Sequence, residues 1–271
     1  MLEVFQYEFI RNAILAGILA SIACGIVGTF IVVKRLTFIS GGIAHTAYGG
    51  VGLGYFLGIP PIIGAIVFSL LASVGIASLR AKKNQNEDTL IGIMWAFGMS
   101  LGILFISFSS GYTPDLMSYL FGNILAVSNL EIFLMLILNA VIFAVVKLNF
   151  RKLEAVTFDE EYSRAIGLNV ERYFFVLYLL IALTVVLLIK IVGIILVIAL
   201  MSIPASISLN FSKSLKKMIV YSIFTGMILT LLGLFLSYYL NLPSGSTIII
   251  VAALAYMTIY LFNSVIKGNR K

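Results

Sequence analysis

The residues of this chain that could do chemistry are few and fall in two places. His45 is the one histidine among 271 residues. It lies in a run of small residues, Ile39-Ser-Gly-Gly-Ile-Ala-His45-Thr-Ala-Tyr-Gly-Gly-Val-Gly-Leu-Gly-Tyr55. Neutral imidazole is a common ligand for zinc, manganese or iron. One histidine cannot close a metal cage, so such chemistry would be a transient contact or a site shared across a dimer. The plainer reading is a neutral imidazole hydrogen-bonded to a neighbouring helix.

The second place is acidic. Within residues 147–172, Asp159, Glu160 and Glu161 gather against Lys147, Arg151, Lys152, Arg164 and Arg172. Thr157-Phe-Asp-Glu160 reads as a capping box, with Thr157 as N-cap and Glu160 at the third helical position. Phe158, Tyr162 and Ile166 recur at i, i+4 and i+8 and form one apolar stripe. Gly167 supplies a stop. The spacing predicts a two-turn amphipathic helix. Anionic lipid selects Lys and Arg on such a helix, so these acids point to protein docking instead.

Other chemistries are absent. The chain has no Gly-x-x-x-x-Gly-Lys-Ser/Thr phosphate loop, no His-Glu-x-x-His and no Gly-x-Ser-x-Gly. It therefore lacks that device for binding ATP, and the zinc-hydrolase and serine-hydrolase signatures. Cys24 stands alone and can form no internal disulfide.

The elements that carry these residues are set by composition. Apolar residues make up 61% of the chain and charged ones 11%, against about 45–50% and 25% in soluble proteins. Mean hydropathy is +1.12. This excludes a soluble enzyme, a disordered regulator and a nucleic-acid module. The net charge of +7 reads as basic loops at a membrane.

The charges punctuate long apolar runs. Residues 12–33 and 36–79 carry none, and neither do the 49 residues between Lys217 and Lys267. A 40-residue helix would be about 60 Å long, twice the roughly 30 Å hydrocarbon core, so each long run folds back. Turn chemistry marks the cuts at Pro60-Pro61, Gly111-Tyr-Thr-Pro114-Asp115 and Asn241-Leu-Pro-Ser-Gly-Ser246. Nine hydrophobic segments follow: 9–33, 41–58, 60–79, 89–109, 130–146, 173–189, 191–210, 218–240 and 246–265. Segment 41–58 is short and glycine-rich, the pattern of a re-entrant or broken helix. Residues 116–127 read as a short helix at the membrane face.

With nine spans, 16 of the 18 basic residues share one side, which is then the cytoplasm. The clusters are Lys34 and Arg35; Arg80, Lys82 and Lys83; the basic residues of 147–172; Lys213, Lys216 and Lys217; and Lys267, Arg270 and Lys271. The N-terminus is expected outside and the C-terminus inside, in a plasma (inner) membrane protein without a cleaved signal peptide. Lys190 is expected at the outer interface, snorkelling to water.

Small residues recur on helical faces. Gly50, Gly54 and Gly58 form one row, and Gly17, Ser21 and Gly25 another. Gly41, His45, Tyr48, Gly49 and Gly52 share a face. Such rows let helices approach closely in lipid, or line a path with exposed backbone. Pro204 sits among Ser202, Ser206 and Ser208, whose hydroxyls could satisfy carbonyls freed by the proline.

Taken in order, several stretches resemble one family. They are Gly25-Ile-Val-Gly-Thr-Phe-Ile-Val-Val-Lys-Arg-Leu36, Ile39-Ser-Gly-Gly-Ile-Ala-His45, Asp159-Glu-Glu-Tyr-Ser-Arg-Ala-Ile-Gly167, Val197-Ile-Ala-Leu-Met-Ser-Ile-Pro-Ala205 and Leu242-Pro-Ser-Gly-Ser-Thr247. The chain resembles the membrane-spanning permeases of zinc/manganese/iron ABC importers over nearly its whole length. The resemblance implies an all-α, polytopic bundle similar to vitamin B12 and siderophore permeases, as one domain over 1–271. It implies a homodimer around a central path, with Phe158, Asp159, Glu160, Glu161, Tyr162, Arg164 and Gly167 docking a cytoplasmic ATPase. An extracytoplasmic substrate-binding protein would deliver a divalent metal ion. ATP would be hydrolysed by the partner, and this chain would bind no cofactor.

Many members carry an acid four positions before the histidine, where this chain has Gly41. That leaves His45 without a carboxylate partner. Gly41, Gly49, Gly50, Gly54, Gly58 and Pro204 are expected to serve helix packing or the path. Two other classes are open to the residues alone: a secondary transporter or channel working by itself, and an intramembrane enzyme using His45 as a base. The second lacks any acid or nucleophile to pair with the histidine.

Overall fold

The structure is a computed structural model and describes residues 7–80, 87–109 and 117–268. Lys82, Lys83, Gly111, Pro114, Asp115, Arg270 and Lys271 lie outside the described residues, as does the side chain of Lys267. Among the described residues, nine helices of 16 residues or more match the nine apolar segments. In order they are α1 (Glu8–Val33), α2 (Thr37–Leu57), α3 (Pro61–Arg80), α4 (Glu87–Ser107), a short α5 (Met117–Phe121), α6 (Asn129–Phe158), a short α7 (Glu160–Ala165), α8 (Val170–Val192), α9 (Ile194–Leu209), α10 (Leu215–Leu240) and α11 (Ser244–Gly268). A 3-10 turn at Ile124–Ala126 joins α5 to α6.

Seven of these, α1, α3, α4, α6, α8, α10 and α11, are long and apolar enough to cross a membrane. The two remaining segments differ for physical reasons. Helix α9 has 16 residues and is short. Helix α2 has 21 residues, about 31 Å, but its glycines dilute its hydropathy. It is one unbroken helix, not the broken one its glycines suggested. The expected loop over 147–172 is largely helical, because α6 continues past residue 146 to Phe158.

Helix α2 is buried because its glycines let backbones touch. A Cβ at Gly50 would overlap the Gly64 carbonyl of α3, and one at Gly54 would sit 2.6 Å from Pro61 Cα. On the facing side, Gly49 and Gly52 meet Gly98 and Gly102 of α4; a Cβ at Gly49 would lie 2.7 Å from the Gly98 oxygen. Gly58 ends the helix in the left-handed region at φ 67°, the conformation glycine adopts most freely.

Helix α1 packs by the same means. Gly17 meets Thr230 and Gly25 meets the Ile223 backbone, both on α10. Ser21 Oγ lies 3.3 Å from Thr230 Oγ1. Cys24 on this helix is fully buried. Pro204 lies inside a continuous α9. The neighbouring hydroxyls serve other carbonyls than the one it frees: Ser202 donates to Ile198 and Ser208 to Pro204 itself.

At the end away from Lys34, three glycines close the bundle. Gly122 (φ 71°) and Gly193 (φ 82°) are pressed together where α5 crosses the one-residue break between α8 and α9. Gly245 at the start of α11 packs on the Phe121 carbonyl.

These contacts predict that Gly50→Ala lowers stability by roughly 1–3 kcal/mol through overpacking. Gly75→Ala, whose Cβ meets nothing within 4 Å, should stabilise the helix by up to about 1 kcal/mol. Melting curves of the two detergent-purified variants would separate these outcomes.

Candidate functional site

The acidic segment folds as a short helix hung on one residue. Thr157 is not its N-cap: it lies inside α6 and donates to the Leu153 carbonyl at 2.6 Å. Asp159 takes that role, with its carboxylate accepting from the Tyr162 amide at 2.9 Å. The signal was legible, since Asp is as good an N-cap as Thr; the apolar run of α6 carried helix past Thr157. Asp159 also closes α6, its own amide bonding the Ala155 carbonyl. Gly167 at φ 83° ends α7, and Leu168 donates back to the buried Ser163.

The helix has two faces. It has six residues rather than the expected two turns, because the helix breaks at Asp159: Tyr162 lies on it, Phe158 is the last residue of α6 and Ile166 is the C-cap. Phe158, Tyr162 and Ile166 are 63%, 60% and 53% exposed, and Asp159 and Glu161 stand exposed beside them. Arg164 pairs with Glu171 at 2.8 Å on the surface, where such pairs contribute little. Glu160 turns the other way. Its Oε1 lies 2.6 Å from Lys34 Nζ and 2.8 Å from Arg80 Nη2. Arg80 also donates to the Tyr178 hydroxyl at 2.9 Å, and its guanidinium sits 3.6 Å from the centre of the Phe174 ring.

Glu160 thus ties α7 to the ends of α1 and α3 and to the side of α8. Lys34, Arg80, Phe174 and Tyr178 were not expected as members of this cluster. Their separation in sequence hides it; only the excess of basic residues on one predicted face hinted at partners for an acid. The cluster walls a recess of about 470 Å³, which Arg35, Phe38 and Asp88 also line.

His45 lies in the buried stretch of α2, about 12 Å along the helix from Thr37. Its ring stacks on Trp95 of α4, centroids 4.1 Å apart and planes within 17°. Its Nδ1 is buried without a hydrogen-bond partner among the described residues. Trp95 explains the glycine one turn earlier: a Cβ at Gly41 would lie 2.6 Å from Trp95 Cζ3. The ring fills the space a carboxylate at position 41 would need. Among the described residues, no three His, Cys, Asp or Glu side chains gather to hold a metal.

The opposite end carries its own polar group. Lys190 does more than snorkel: its Nζ is 2.7 Å from Glu131 Oε1. Glu131 also forms a capping box with Ser128 at the start of α6. Nearby, the Tyr55 and Tyr119 hydroxyls lie 3.2 Å apart. These four side chains border a cavity of about 200 Å³.

The family is decided by comparison. The ABC 3 transport family matches residues 6–263. The chain belongs to the ABC 3 transport family. An uncharacterized membrane protein of Synechocystis is 46% identical over 95% of this chain and 92% of its own length. The manganese transport system membrane protein MntC of Listeria monocytogenes is 34% identical over 95% and 91%. The solved structure of PsaBC from Streptococcus pneumoniae in complex with Fab superposes with a TM-score of 0.84 at 34% identity, covering 95% of this chain and 92% of that one. This ABC 3 chain is therefore a multi-pass permease of the metal ABC importer family.

Glu160→Gln keeps an acceptor oxygen but removes the negative charge that two half-buried cations share. It should cost about 1–3 kcal/mol and lower the melting temperature by several degrees. Lys34→Gln, which keeps the Arg80–Glu160 pair, should cost less. Thermal denaturation of both purified variants checks the order.

Proposed function

We propose that this permease is the membrane half of an ATP-driven importer for a divalent transition metal, manganese before zinc or iron. The observation that carries the reading is an exposed apolar stripe formed by Phe158 at the end of α6, Tyr162 on α7 and Ile166 at its C-cap, with α7 anchored inward through Glu160. An ATPase would dock on that stripe and on Asp159, Glu161 and Arg164. Glu160 would then pass the movement into α1, α3 and α8 as a rigid-body shift. The manganese cargo follows the Listeria relative named above.

Two copies would enclose the path, and a substrate-binding protein would deliver metal at the Glu131–Lys190 end. That orientation places the basic clusters in the cytoplasm, the N-terminus outside and the C-terminus inside. His45 would serve as a passing contact, with selectivity residing in the delivery protein, because Gly41 and Trp95 leave no carboxylate beside it. The rival reading is a transporter or channel that works alone.

Reconstituted vesicles separate the two. Uptake of radiolabelled manganese supplied on the substrate-binding protein should require ATP and a co-reconstituted ATPase. Phe158→Ala/Tyr162→Ala should lose ATPase co-purification and more than about tenfold of the uptake, as removal of central aromatic anchors does elsewhere. His45→Ala should retain the ATPase and slow uptake. Uptake by the chain alone, driven by an ion gradient, would overturn the proposal.

A further inference from the structure

A large groove is built from side chains other than those of the sites described above. It lies between α6 and α10, floored by Ile22 and Ile26 of α1, with a volume of about 920 Å³. Its apolar wall includes Phe143 on α6 and Val220, Ile223 and Met227 on α10. Phe143 and Val220 are 57% and 46% exposed, so the groove opens sideways. Its other end is lined by Lys147, Arg151, Lys152 and Lys216, and no acid lines it.

The four cations are exposed, and none forms an ion pair among the described residues. Three approach rings instead. Lys216 Nζ is 5.4 Å from the centre of Phe150, Lys147 Nζ 5.6 Å from Phe143 and Lys152 Nζ 6.0 Å from Tyr173. Glu154, the next acid along α6, does not line the groove. The positive end thus stands uncompensated beside a lipid-facing slot.

We propose that this groove binds one anionic phospholipid, its headgroup phosphate on Lys147, Arg151, Lys152 and Lys216 and an acyl chain in the slot. The dimensions agree. Lys216 to Met227 rises about 16 Å along α10, half of the roughly 30 Å core, which is one leaflet. Basic pockets between membrane helices are suited to anionic headgroups. A soluble acidic partner would use the cations and leave the apolar slot empty. The proposal does not depend on the transported metal.

Native mass spectrometry tests it on the full-length chain, purified with equal amounts of phosphatidylglycerol and phosphatidylcholine. The expected result is one retained phosphatidylglycerol per chain, favoured at least roughly tenfold, since each basic residue near an anionic lipid adds appreciably. K147Q/R151Q/K152Q/K216Q should abolish the preference. Val220→Trp, which fills the slot from its open side, should lose the lipid with all charges kept. Lys216→Gln alone should reduce the preference about fivefold, which covers failure of the quadruple variant to fold. Lys213→Gln, outside the groove, should change nothing. Equal retention of the two lipids, an unchanged preference in Lys216→Gln, or displacement of the lipid by glycerol phosphate at equal concentration would overturn the proposal.

Discussion

Backbone meeting backbone along α2 is the constraint on which the rest of this molecule depends. Lipid is as apolar as leucine, so helices there gain nothing by hiding from it. Association must come from close contact, through dispersion over many atoms. Glycines at 49, 50, 52 and 54 bring α2 against α3 and α4 at distances no side chain would allow. A helix too weakly apolar to stand in lipid is thereby made stable inside protein. His45 and its stacking on Trp95 follow from that burial, because the same face of α2 that carries the glycines carries the ring.

The second support is electrostatic and sits at one end. Glu160 meets two cations that arrive from different helices, in a place only partly screened by water. Charge and ring contacts converge there on Arg80, which reaches Glu160, Tyr178 and Phe174 together. The apolar face of α7 is left outward as a result. One carboxylate therefore sets which side of the short helix is available to a partner.

Much of this was legible in the residues. The apolar runs, nearly free of charge, marked nine helices among the described residues, because a charge inside lipid is costly enough to be placed with care. The i, i+4, i+8 spacing picked out three apolar residues that are exposed, but not one helix face: Phe158 ends α6, extended Asp159 interrupts the helix, and Ile166 caps α7, so only Tyr162 lies on α7 itself. Less legible was anything joining distant positions. Glycine rows announced close packing without naming the opposing helix. The Gly122–Gly193–Gly245 closure had no local pattern at all, because each glycine answers to a backbone far away in sequence. The helix start moved from Thr157 to Asp159 because two capping residues competed, and the continuing α6 absorbed the first.

That shift has a mechanical meaning. Asp159 is at once the last cap of α6 and the first cap of α7, so the joint contains one residue. Such a joint leaves only the φ and ψ of Asp159 to turn one helix against the other. A flexible loop would soak up a push on α7 by changing its own shape. Under the proposed docking, a displacement of α7 would meet a rod of 30 residues, about 45 Å long, whose far end holds Glu131 and, through it, Lys190. The two ends of the molecule are in this sense connected by a single stiff spar.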